Sequence, residues 1–516
     1  MEDFSMKKFI VILFFAAVSF VSCKKEISGI ETTATDIIFD LSASYQGGPD
    51  TKAVKTGWES GDVLYVFFNN VAAPKYLKMS FNGSSWTYTQ MNGAVEESLG
   101  LAENATGTMR AVYLPFGNSE TVSADGSSFV FSNTCFSYFL TATLGYTVVE
   151  GKVSGAFDMQ PWANYIQFFL DDVSADPSVD IELREPHLRP WAISSISADG
   201  SITMTSQANG APLKGYVYDK SNKEIGESKG YLFSGYLAAG AQNTSTTYHF
   251  TLVVGGWQGT YYQKTFEDRT WYRSATEGRA LKMPALSNWT TVTDYKPIDL
   301  GTDVGGKRIY WSSRNLGATV DFPAGTGDDD VIAVNGDYYA WGDTEPYYEP
   351  GTIKTPVWKT GKSAGYYPAS YKYYDEGASP YKYTKYNWYY GGYRDLQPED
   401  DAARVNLGRN WHTPTESEWS ALLSLKKAKE ASYEGWSVTV SGGTYWVDPT
   451  IFFPYACRCY DHWEGHAGYG DYWASRLHEY EDFKANCIYI QNASFTWGGG
   501  SGNGITAGLS VRPVTE

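Results

Sequence analysis

Short apolar runs that suit β-strands recur between residues 36 and 288, and clusters of Gly, Asn, Ser and Pro separate them. No segment of this region shows the 3.6-residue period of an amphipathic helix over a helix length. Short runs at regular spacing with turn residues between them are typical of antiparallel β-sandwiches. The runs that predict strands are Asp36–Leu41, Asp62–Phe67, Trp86–Thr89, Met109–Leu114, Tyr165–Leu170, Val179–Leu183 and Tyr248–Val254.

The pattern changes after Tyr295-Lys296-Pro297, which is the predicted junction to a different kind of domain. Helices are expected near residues 399–407 and 415–428, and strands around Ile451–Pro454 and Ile488–Gln491. Long loops separate these elements. The pattern therefore indicates an α+β module dominated by irregular structure.

Two local signals support these helices, and one closing run indicates a strand. Thr415-x-x-Glu418 is a capping box, and the Asp400 and Asp401 carboxylates suit the first turn of the other helix, where they meet the helix dipole. The run Leu509–Val514 has strand character. Because Pro513 lacks a backbone donor, we expect it near an edge or an end of a sheet.

The first residues form a predicted targeting segment. Lys7-Lys8 precede the apolar run Phe9–Val21, and Cys23 follows. A basic region, a short apolar region and small residues before a cut describe a secretory signal, which is too short to span a bilayer. The position of Cys23 resembles the lipidated cysteine of bacterial lipoproteins, which implies a lipid anchor there. An ordinary signal with a chance cysteine is the alternative.

These patterns define a mainly β fold class, with two antiparallel β-sandwiches followed by an α+β module. The signal peptide is assigned to residues 1–23 and a polar, Thr-rich tether to 24–35. The N-terminal sandwich is assigned to 36–155, the second sandwich to 156–294 and the α+β module to 295–516. The boundary between the two sandwiches is the one that the sequence pattern defines least sharply.

Composition narrows the range of functions. The formal net charge of −17 argues against a nucleic-acid partner, because nucleic-acid binding needs clustered Lys and Arg. Neither a Gly-rich phosphate loop after a strand nor a Gly-x-Ser-x-Gly elbow in a strand-turn-helix setting is present. The sequence therefore predicts no enzyme activity and no cofactor.

Aromatic residues make up 16% of the chain, with 41 Tyr and 18 Trp, and many lie in the α+β module. Exposed rings with polar neighbours suit sugar recognition, because the C–H face of a pyranose packs on an aromatic plane. The alternative is that a loop-rich fold uses Tyr and Trp as its core, with hydroxyls that reach water. The candidate ligand-binding residues are Trp388, Tyr389, Tyr390, Tyr393 and Trp463.

Two segments resemble metal sites, and neither has the required spacing. Asp461–His466 contains two His and two carboxylates, but its Gly neighbours indicate a loop, and the order of a zinc hydrolase motif is missing. Gly325–Asp330 lacks the alternation of a calcium loop and is interpreted as a solvated acidic loop. No metal is predicted.

Four cysteines remain after Cys23, which is too few for a disulfide scaffold. Cys487 could pair with Cys457 or with Cys459, and either pair would leave an odd thiol in addition to Cys135. The sequence leaves this choice open.

Several motifs of the α+β module occur in an order that resembles the major paralogous (FISUMP-type) domain of bacterial surface lipoproteins. They are Gly336–Asp343, Asp401–Asn406, Trp411–Trp419 and Leu509–Val514. The resemblance runs from about Asp299 onward and implies a fold similar to C-type-lectin-like and formylglycine-generating-enzyme-like domains, with a lectin-like ligand-binding role. The redox cysteine pair of those enzymes has no counterpart in Cys457-Arg458-Cys459, and a shared fold does not transfer an activity.

Thr56–Phe67 and Ala111–Phe116 resemble the opening of the fimbrillin family of Bacteroidetes pilus subunits. In that family a Trp–Gly–Asp turn leads into the second strand of the N-terminal sandwich. The resemblance implies a fimbrial subunit, surface-exposed at the outer membrane, whose partners are other fimbrial subunits. Assembly would follow removal of an N-terminal strand and entry of a neighbour's strand, which is β-augmentation.

This resemblance implies a cut in the loop Ser44–Thr56, where Lys52 and Lys55 are the candidate positions for proteolytic maturation. Because the segment Ser510–Val514 closes a compact domain, we expect a subunit that accepts a strand without donating one, as at the tip of a fibre. The alternative is a monomeric glycan-binding outer-membrane lipoprotein for polysaccharide capture. The ligand in either case is a host or bacterial glycan or protein.

Overall fold

The structure is a computed structural model, and it confirms the mainly β fold class. It describes residues 37–45, 57–72, 74–113, 119–122, 128–132, 140–161, 165–173, 176, 178–197, 200–218, 230–237, 245–269, 279–349, 352, 357–359, 371–378, 382–408, 410–440, 448–459, 468–481, 483–498 and 502–516.

Ten strands form among the described residues of the first part of the chain, and they include four of the predicted runs. They are β1 (Ile38–Tyr45), β2 (Val63–Phe68), β3 (Lys75–Phe81), β4 (Trp86–Asn92), β5 (Val95–Glu96), β6 (Thr106–Tyr113), β7 (Ser119–Val122), β8 (Ser128–Ser132), β9 (Leu140–Thr147) and β10 (Lys152–Pro161).

Eight of these strands form one sheet in the order β1-β10-β9-β6-β2-β3-β4-β5. β2 lies near the middle of this sheet, and its sequence is apolar on both faces, as expected for a strand covered on both sides. Leu64, Val66 and Phe68 enter the main N-terminal core, whereas Tyr65 and Phe67 enter a second core on the other face.

The next part of the chain is again almost wholly β. Its elements are β11 (Tyr165–Leu170), β12 (Ile181–Arg184), β13 (Leu188–Arg189), β14 (Trp191–Ser197), β15 (Ile202–Ser206), β16 (Leu213–Tyr218), β17 (Gly230–Leu237), β18 (Thr246–Val254), β19 (Thr260–Arg269), β20 (Arg279–Lys282), a 3-10 turn (Leu286–Asn288) and β21 (Thr290–Val292).

Nine of these strands build a sheet in the order β20-β11-β17-β16-β12-β18-β19-β21, with β13 paired to β17. A third sheet, β15-β14-β8-β7, joins strands from both sides of the predicted boundary at residues 155 and 156, and β10 runs across that boundary. Ile196 of β14 packs into the second N-terminal core together with Val112. The two predicted sandwiches therefore share a sheet.

The last part of the chain contains three short helices and eleven strands among its described residues. They are β22 (Pro297–Val304), β23 (Lys307–Ser312), α1 (Asp328–Asn335), α2 (Ala402–Leu407), β24 (Trp411–His412), α3 (Glu416–Leu423), β25 (Lys426–Lys429), β26 (Gly435–Thr439), β27 (Thr450–Pro454), β28 (Tyr469–Leu477), β29 (Lys484–Gln491), β30 (Ser494–Trp497), β31 (Asn503–Gly504) and β32 (Val514–Thr515), with 3-10 turns at Trp388–Tyr390 and Pro398–Asp400.

These strands form three small sheets, β22-β23-β32-β24, β25-β26-β27 and β28-β29-β30, with β31 paired to β29. Their core contains Trp311 and Trp419 and also takes in Val253 and Tyr261 of the second β region. Arg184 is buried at this junction and donates to the carbonyl oxygen of Pro297 at 2.6 Å. The C-terminal module therefore packs directly against β18 and β19.

The predicted capping box of α3 is confirmed, whereas Asp401, expected in the first turn of α2, is its N-cap. The Glu418 carboxylate accepts from the backbone N–H of Thr415 at 2.7 Å, and the Thr415 hydroxyl accepts from the backbone N–H of Glu418 at 3.3 Å. The Asp401 carboxylate accepts from the backbone N–H groups of Ala403 and Arg404. Both caps satisfy donors that the first helical turn leaves without an intrahelical partner.

The predicted helix over 415–428 is too long. α3 ends at Leu423, and residues 426–429 form β25, which pairs with β26. The Lys427 ammonium donates to the carbonyl oxygen of Leu423. Because a lysine that bonds the last carbonyl groups stabilises a helix end, this contact helps to explain where the chain leaves the helix.

The expectation for the closing run is also corrected. Only Val514–Thr515 forms a strand, while Leu509 and Ser510 make isolated bridges to Tyr339 and Tyr472. β32 lies between β23 and β24 and is not an edge strand. Pro513 fits there because its carbonyl oxygen accepts from the N–H of Ser312 at 2.9 Å, and a proline lacks only the donor.

Among the strands that the structure describes, isolated bridges aside, the pairing is antiparallel as predicted except at two places. β1 runs parallel to β10, and β20 runs parallel to β11. Both β1 and β20 lie at the end of their sheets. The sequence pattern cannot reveal this direction, because alternation along one strand is the same for both kinds of pairing.

Candidate functional site

The first candidate site is the edge of the N-terminal sheet that β1 occupies. β1 pairs in parallel with β10 along its whole length, from Ile38 opposite Lys152 to Tyr45 opposite Met159. The Lys152 ammonium also lies 2.6 Å from the Asp40 carboxylate, an exposed ion pair that contributes little. This ladder supplies the only strand neighbour of β1 among the described residues.

Side chains bind the other edge of β1. The Tyr88 hydroxyl accepts from the N–H of Leu41 at 3.1 Å and donates to the carbonyl oxygen of Leu41 at 2.5 Å. The Trp58 indole N–H donates to the carbonyl oxygen of Ala43 at 2.7 Å. A phenol can donate and accept at once, so Tyr88 satisfies both backbone groups that a further strand would otherwise bond.

The two faces of β1 differ in burial. Ile37, Phe39 and Leu41 point into the main N-terminal core, and Leu41 is only 3% exposed. Ile38 on the opposite face is 63% exposed. Because side chains alternate across a strand, β1 fills an apolar groove with one face and leaves the other in solvent.

The residues predicted to process and anchor this region lie outside the described part of the chain. They are Cys23, Lys52 and Lys55. Lys52 and Lys55 fall within the segment between β1 and β2, at residues 46–62.

The second candidate site is the aromatic turn of the C-terminal module. Trp388–Tyr390 form a 3-10 turn that ends at Gly391 with a φ of 90°, a backbone conformation that favours glycine. Trp388 is half-buried in the module core, whereas Tyr390 and Tyr393 are 53% and 52% exposed. The side chain of Tyr389 and the whole of Trp463 lie outside the described residues.

A buried carboxylate next to this turn was not predicted. Asp400 accepts hydrogen bonds from the ammonium groups of Lys372 and Lys385 at 2.8 and 2.6 Å and from the hydroxyls of Tyr373 and Tyr386 at 2.5 and 2.6 Å. Burial alone would raise the pKa of Asp400, but these four donors outweigh it and set that pKa at about 2. We call this group the Asp400 cluster.

The Asp400 cluster explains much of the Tyr content of the module. Tyr371 and Tyr386 are buried around it, and their rings pack with that of Tyr373. These rings agree with the interpretation of Tyr as core, but the hydroxyls of Tyr373 and Tyr386 bond Asp400 where that interpretation expected water. The only sequence signal for this cluster was the pair Asp400-Asp401. Asp401 caps α2, whereas Asp400 forms salt bridges with the lysines.

Cys487 forms a disulfide bond with neither Cys457 nor Cys459. All three are buried, and burial raises the pKa of the Cys487 thiol to about 12. The Tyr348 hydroxyl lies 3.2 Å from the sulfur of Cys459. Cys135 lies outside the described residues.

The acidic loop Gly325–Asp330 leads into α1. The Asp330 carboxylate accepts from the N–H of Gly327 at 3.3 Å, and Asp328 and Asp329 lie in the first turn. In the part of the chain that the structure describes, no group of three or more His, Cys, Asp or Glu could hold a metal ion. Asp461–His466 lies outside that part.

No helix in the described ranges is long and apolar enough to cross a membrane.

Comparisons with known proteins give only distant matches to this chain. No family model matches the chain, and no curated protein does. A candidate cell adhesion protein of Bacteroides fragilis is 12% identical over 50% of this chain and 95% of its own, with a TM-score of 0.28. One of Bacteroides ovatus is 13% identical over 50% and 96%, with a TM-score of 0.29. The fimbrial anchor protein Mfa2 of Porphyromonas gingivalis is 11% identical over 41% and 76%, with a TM-score of 0.23. Such values assign neither a family nor a function to this chain.

Proposed function

We propose that this chain is a surface-exposed fimbrial subunit that acts in adhesion and receives a strand from a neighbouring subunit at the position of β1. The observation that carries the proposal is the way β1 is bound. It is an edge strand with one ladder, its apolar face fills a core groove, and side chains bond its outer edge. A strand with these properties can be replaced by another of the same alternation.

The chemistry of the incoming strand follows from the groove. Backbone groups of β10 bind any extended segment, so specificity comes from apolar residues at the positions of Ile37, Phe39 and Leu41. A shift of one residue would turn the polar face of the incoming strand into the core. The partner is therefore a subunit with an extended, alternating apolar segment.

Access to the groove requires that β1 be cut from β2. The segment 46–62 joins these strands and contains Lys52 and Lys55 but no Arg. We propose that a protease cuts there, after Cys23 has been lipidated and has placed the chain at the outer membrane. The tip position, where a subunit accepts a strand, is part of the same proposal.

A reconstituted exchange tests the proposal. A specific protease site is placed within residues 46–56, the purified chain is cut, and a labelled peptide with the sequence of residues 36–45 is added. We expect the label to enter the folded protein as the β1 segment leaves. A control peptide with Ile37, Phe39 and Leu41 replaced by Asn should be excluded.

Two results would count against strand exchange. One is that the control peptide enters as readily as the native one, because the groove would then not select the incoming strand by its side chains. The other is that surface-exposed protein in fibre-forming cells begins at Cys23 by N-terminal sequencing, because the groove would then never open. A start near Ala53 or Thr56 agrees with the proposal.

A second candidate function is a monomeric glycan-binding lipoprotein for polysaccharide capture. It is favoured by the exposed rings of Tyr390 and Tyr393 beside the Trp388–Tyr390 turn. Glycan binding by a chain whose surface form retains β1 would support it over the fimbrial subunit.

A further inference from the structure

A cleft of about 600 Å³ lies beside the aromatic turn of the C-terminal module. Its walls come from the loop after that turn, from the first turns of α3 and from the strands β28 to β30 with the turn between β28 and β29. It is lined by both charged and aromatic side chains, among them Arg394, Arg476, His478, Tyr480 and Trp497. Clefts with a few convergent polar groups are the usual form of small-ligand sites.

Arg394 is the cation of this cleft that has no acidic partner among the described residues. Its guanidinium carbon lies 5.0 Å from the ring centre of Trp388, and its Nε is buried without a hydrogen-bond acceptor. The backbone is fixed as well, because the carbonyl oxygen of Arg394 accepts from the N–H of Leu477 at 2.9 Å. Trp388 therefore acts as a positioning residue for the guanidinium.

The other charges near the cleft are largely paired with each other. Arg476 lies 3.0 Å from the Asp395 carboxylate and 3.9 Å from that of Glu416. The Glu416 carboxylate also accepts from the side-chain amide of Asn486. Glu479 is exposed at the rim. Arg394 and Glu479 are thus the charged lining residues without an ion-pair partner among the described residues, and Arg394 is the less exposed of the two.

A guanidinium remains charged in proteins and offers a planar fork of donors that fits a carboxylate with two parallel hydrogen bonds. In a partly desolvated site such a pair is stronger than in water. The cleft therefore favours a ligand that brings a carboxylate to Arg394.

The aromatic residues of the cleft indicate what carries that carboxylate. Tyr480 is 80% exposed, and its backbone N–H donates to Nδ1 of His478 at 3.3 Å, which fixes the turn that presents the ring. Trp497 is half-exposed in the same lining. Rigid aromatic faces of this kind bind flat apolar surfaces at a low entropy cost. The C–H face of a sugar ring is such a surface.

We propose that this cleft binds a saccharide that carries a carboxylate, a uronic acid or a sialic acid, with the carboxylate on Arg394 and the sugar face against Tyr480. The inference rests on the adhesive or glycan-binding role proposed above and adds to it the chemical class of the ligand and the residues that hold it.

The test uses matched ligand pairs and matched variants of the whole chain. Binding to oligogalacturonate is compared with binding to its methyl ester, and binding to sialyllactose with binding to lactose, by isothermal calorimetry. We expect at least one acid to bind tenfold or more tightly than its neutral partner. Arg394→Gln and Tyr480→Ala should each weaken that binding at least tenfold. Arg269→Gln, an exposed arginine of β19, should leave it unchanged.

The possible failures are distinguishable. Equal binding of acidic and neutral sugars, or no loss in Arg394→Gln, would overturn the carboxylate inference and leave a glycan-binding role in place. Polyglutamate that binds as well as the acidic sugars would overturn the saccharide class. No sugar binding at all, with strand exchange at β1 intact, would remove this cleft as a glycan site while the fimbrial function stands. An unchanged melting temperature for Tyr480→Ala excludes misfolding, since its ring lies in solvent.

Discussion

β1 and β32 lie near opposite ends of the described chain and are held in opposite ways. β1 occupies an edge, with a strand on one side and the side chains of Tyr88 and Trp58 on the other. β32 has only two residues, yet it lies between two strands, with Val514 opposite Trp311 on one side and His412 on the other. The longer strand is therefore the one with fewer strand neighbours.

The difference bears on the proposed strand exchange. Without β1, the other seven strands of its sheet keep their ladders and one apolar groove opens. Without β32, the sheet β22-β23-β32-β24 separates into two parts, and the core around Trp311 and Trp419 loses Val514. The buried guanidinium of Arg512 adds to this, because it donates to the carbonyl oxygens of Ser312 and Phe452.

The largest expected effect is at β32. Val514→Asp places a charge at a fully buried position between two strands, and an unpaired buried charge costs several kcal/mol. We expect a loss of more than ~4 kcal/mol in the stability of the C-terminal module, measured by denaturant unfolding. Ile38→Asp on the exposed face of β1 is the matched control, with an expected change within ~0.5 kcal/mol. Comparable losses in the two variants would remove the contrast between the strands.

The next effect concerns the pH response of the C-terminal module. The folded pKa of Asp400, about 2, lies below its usual value of 3.8, so the cluster contributes its full stability above about pH 4 and loses it as pH falls toward 2. Asp400→Asn leaves two lysines without their buried partner and should cost ~3 kcal/mol at neutral pH.

Acid and thermal unfolding of Asp400→Asn would check this value. The variant should also show a weaker dependence of stability on pH between about 4 and 2. Asp395→Asn, which breaks an exposed ion pair with Arg476, is the control and should change stability by less than ~1 kcal/mol. An unchanged acid response in Asp400→Asn would show that other carboxyl groups govern acid unfolding.

Local signals in the sequence were sufficient for the capping box and for most of the strands that were predicted. The capping box of Thr415 and Glu418 joins residues three apart, and the run Tyr165–Leu170 forms a strand with those same ends. The position of β1 could not be predicted in the same way. Its partner β10 lies more than a hundred residues away, and a parallel edge strand has the same alternation as an antiparallel one.

The candidate sites show the same limit. The aromatic content indicated that Tyr and Trp rings form a binding surface or the core. It did not indicate that Trp388 packs against Arg394 or that Tyr386 bonds Asp400. Arg394 and Tyr480 are far apart in sequence and meet only because β28 brings their loops to one cleft. Tertiary proximity of single charged residues leaves no periodic signal.

A smaller effect is expected at Tyr88, which bonds the outer edge of β1. Tyr88→Phe removes the hydroxyl that bonds the N–H and carbonyl groups of Leu41, and its loss should weaken the hold on β1 by about 1 to 2 kcal/mol. In a chain cut within residues 46–56, the β1 segment should then leave roughly five- to thirtyfold faster, as followed with a labelled peptide. Tyr146→Phe is the control, because its hydroxyl bonds Asn70 in the same region without touching β1. Equal release rates in the two variants would mean that the β10 ladder alone sets retention.

The smallest effect on folding is expected at the aromatic turn. Tyr390 and Tyr393 are about half-exposed, so Tyr390→Ala and Tyr393→Ala together should change the stability of the module by less than ~1 kcal/mol, while adhesion to a glycan-coated surface falls. Trp388→Ala is the informative comparison, because that ring is half-buried in the core and lies beneath Arg394. It should lower both melting temperature and binding. If the double variant unfolds as easily as Trp388→Ala, the two tyrosines belong to the core and the aromatic turn is scaffold. If adhesion persists in the double variant with folding intact, ligand contact lies elsewhere on the module.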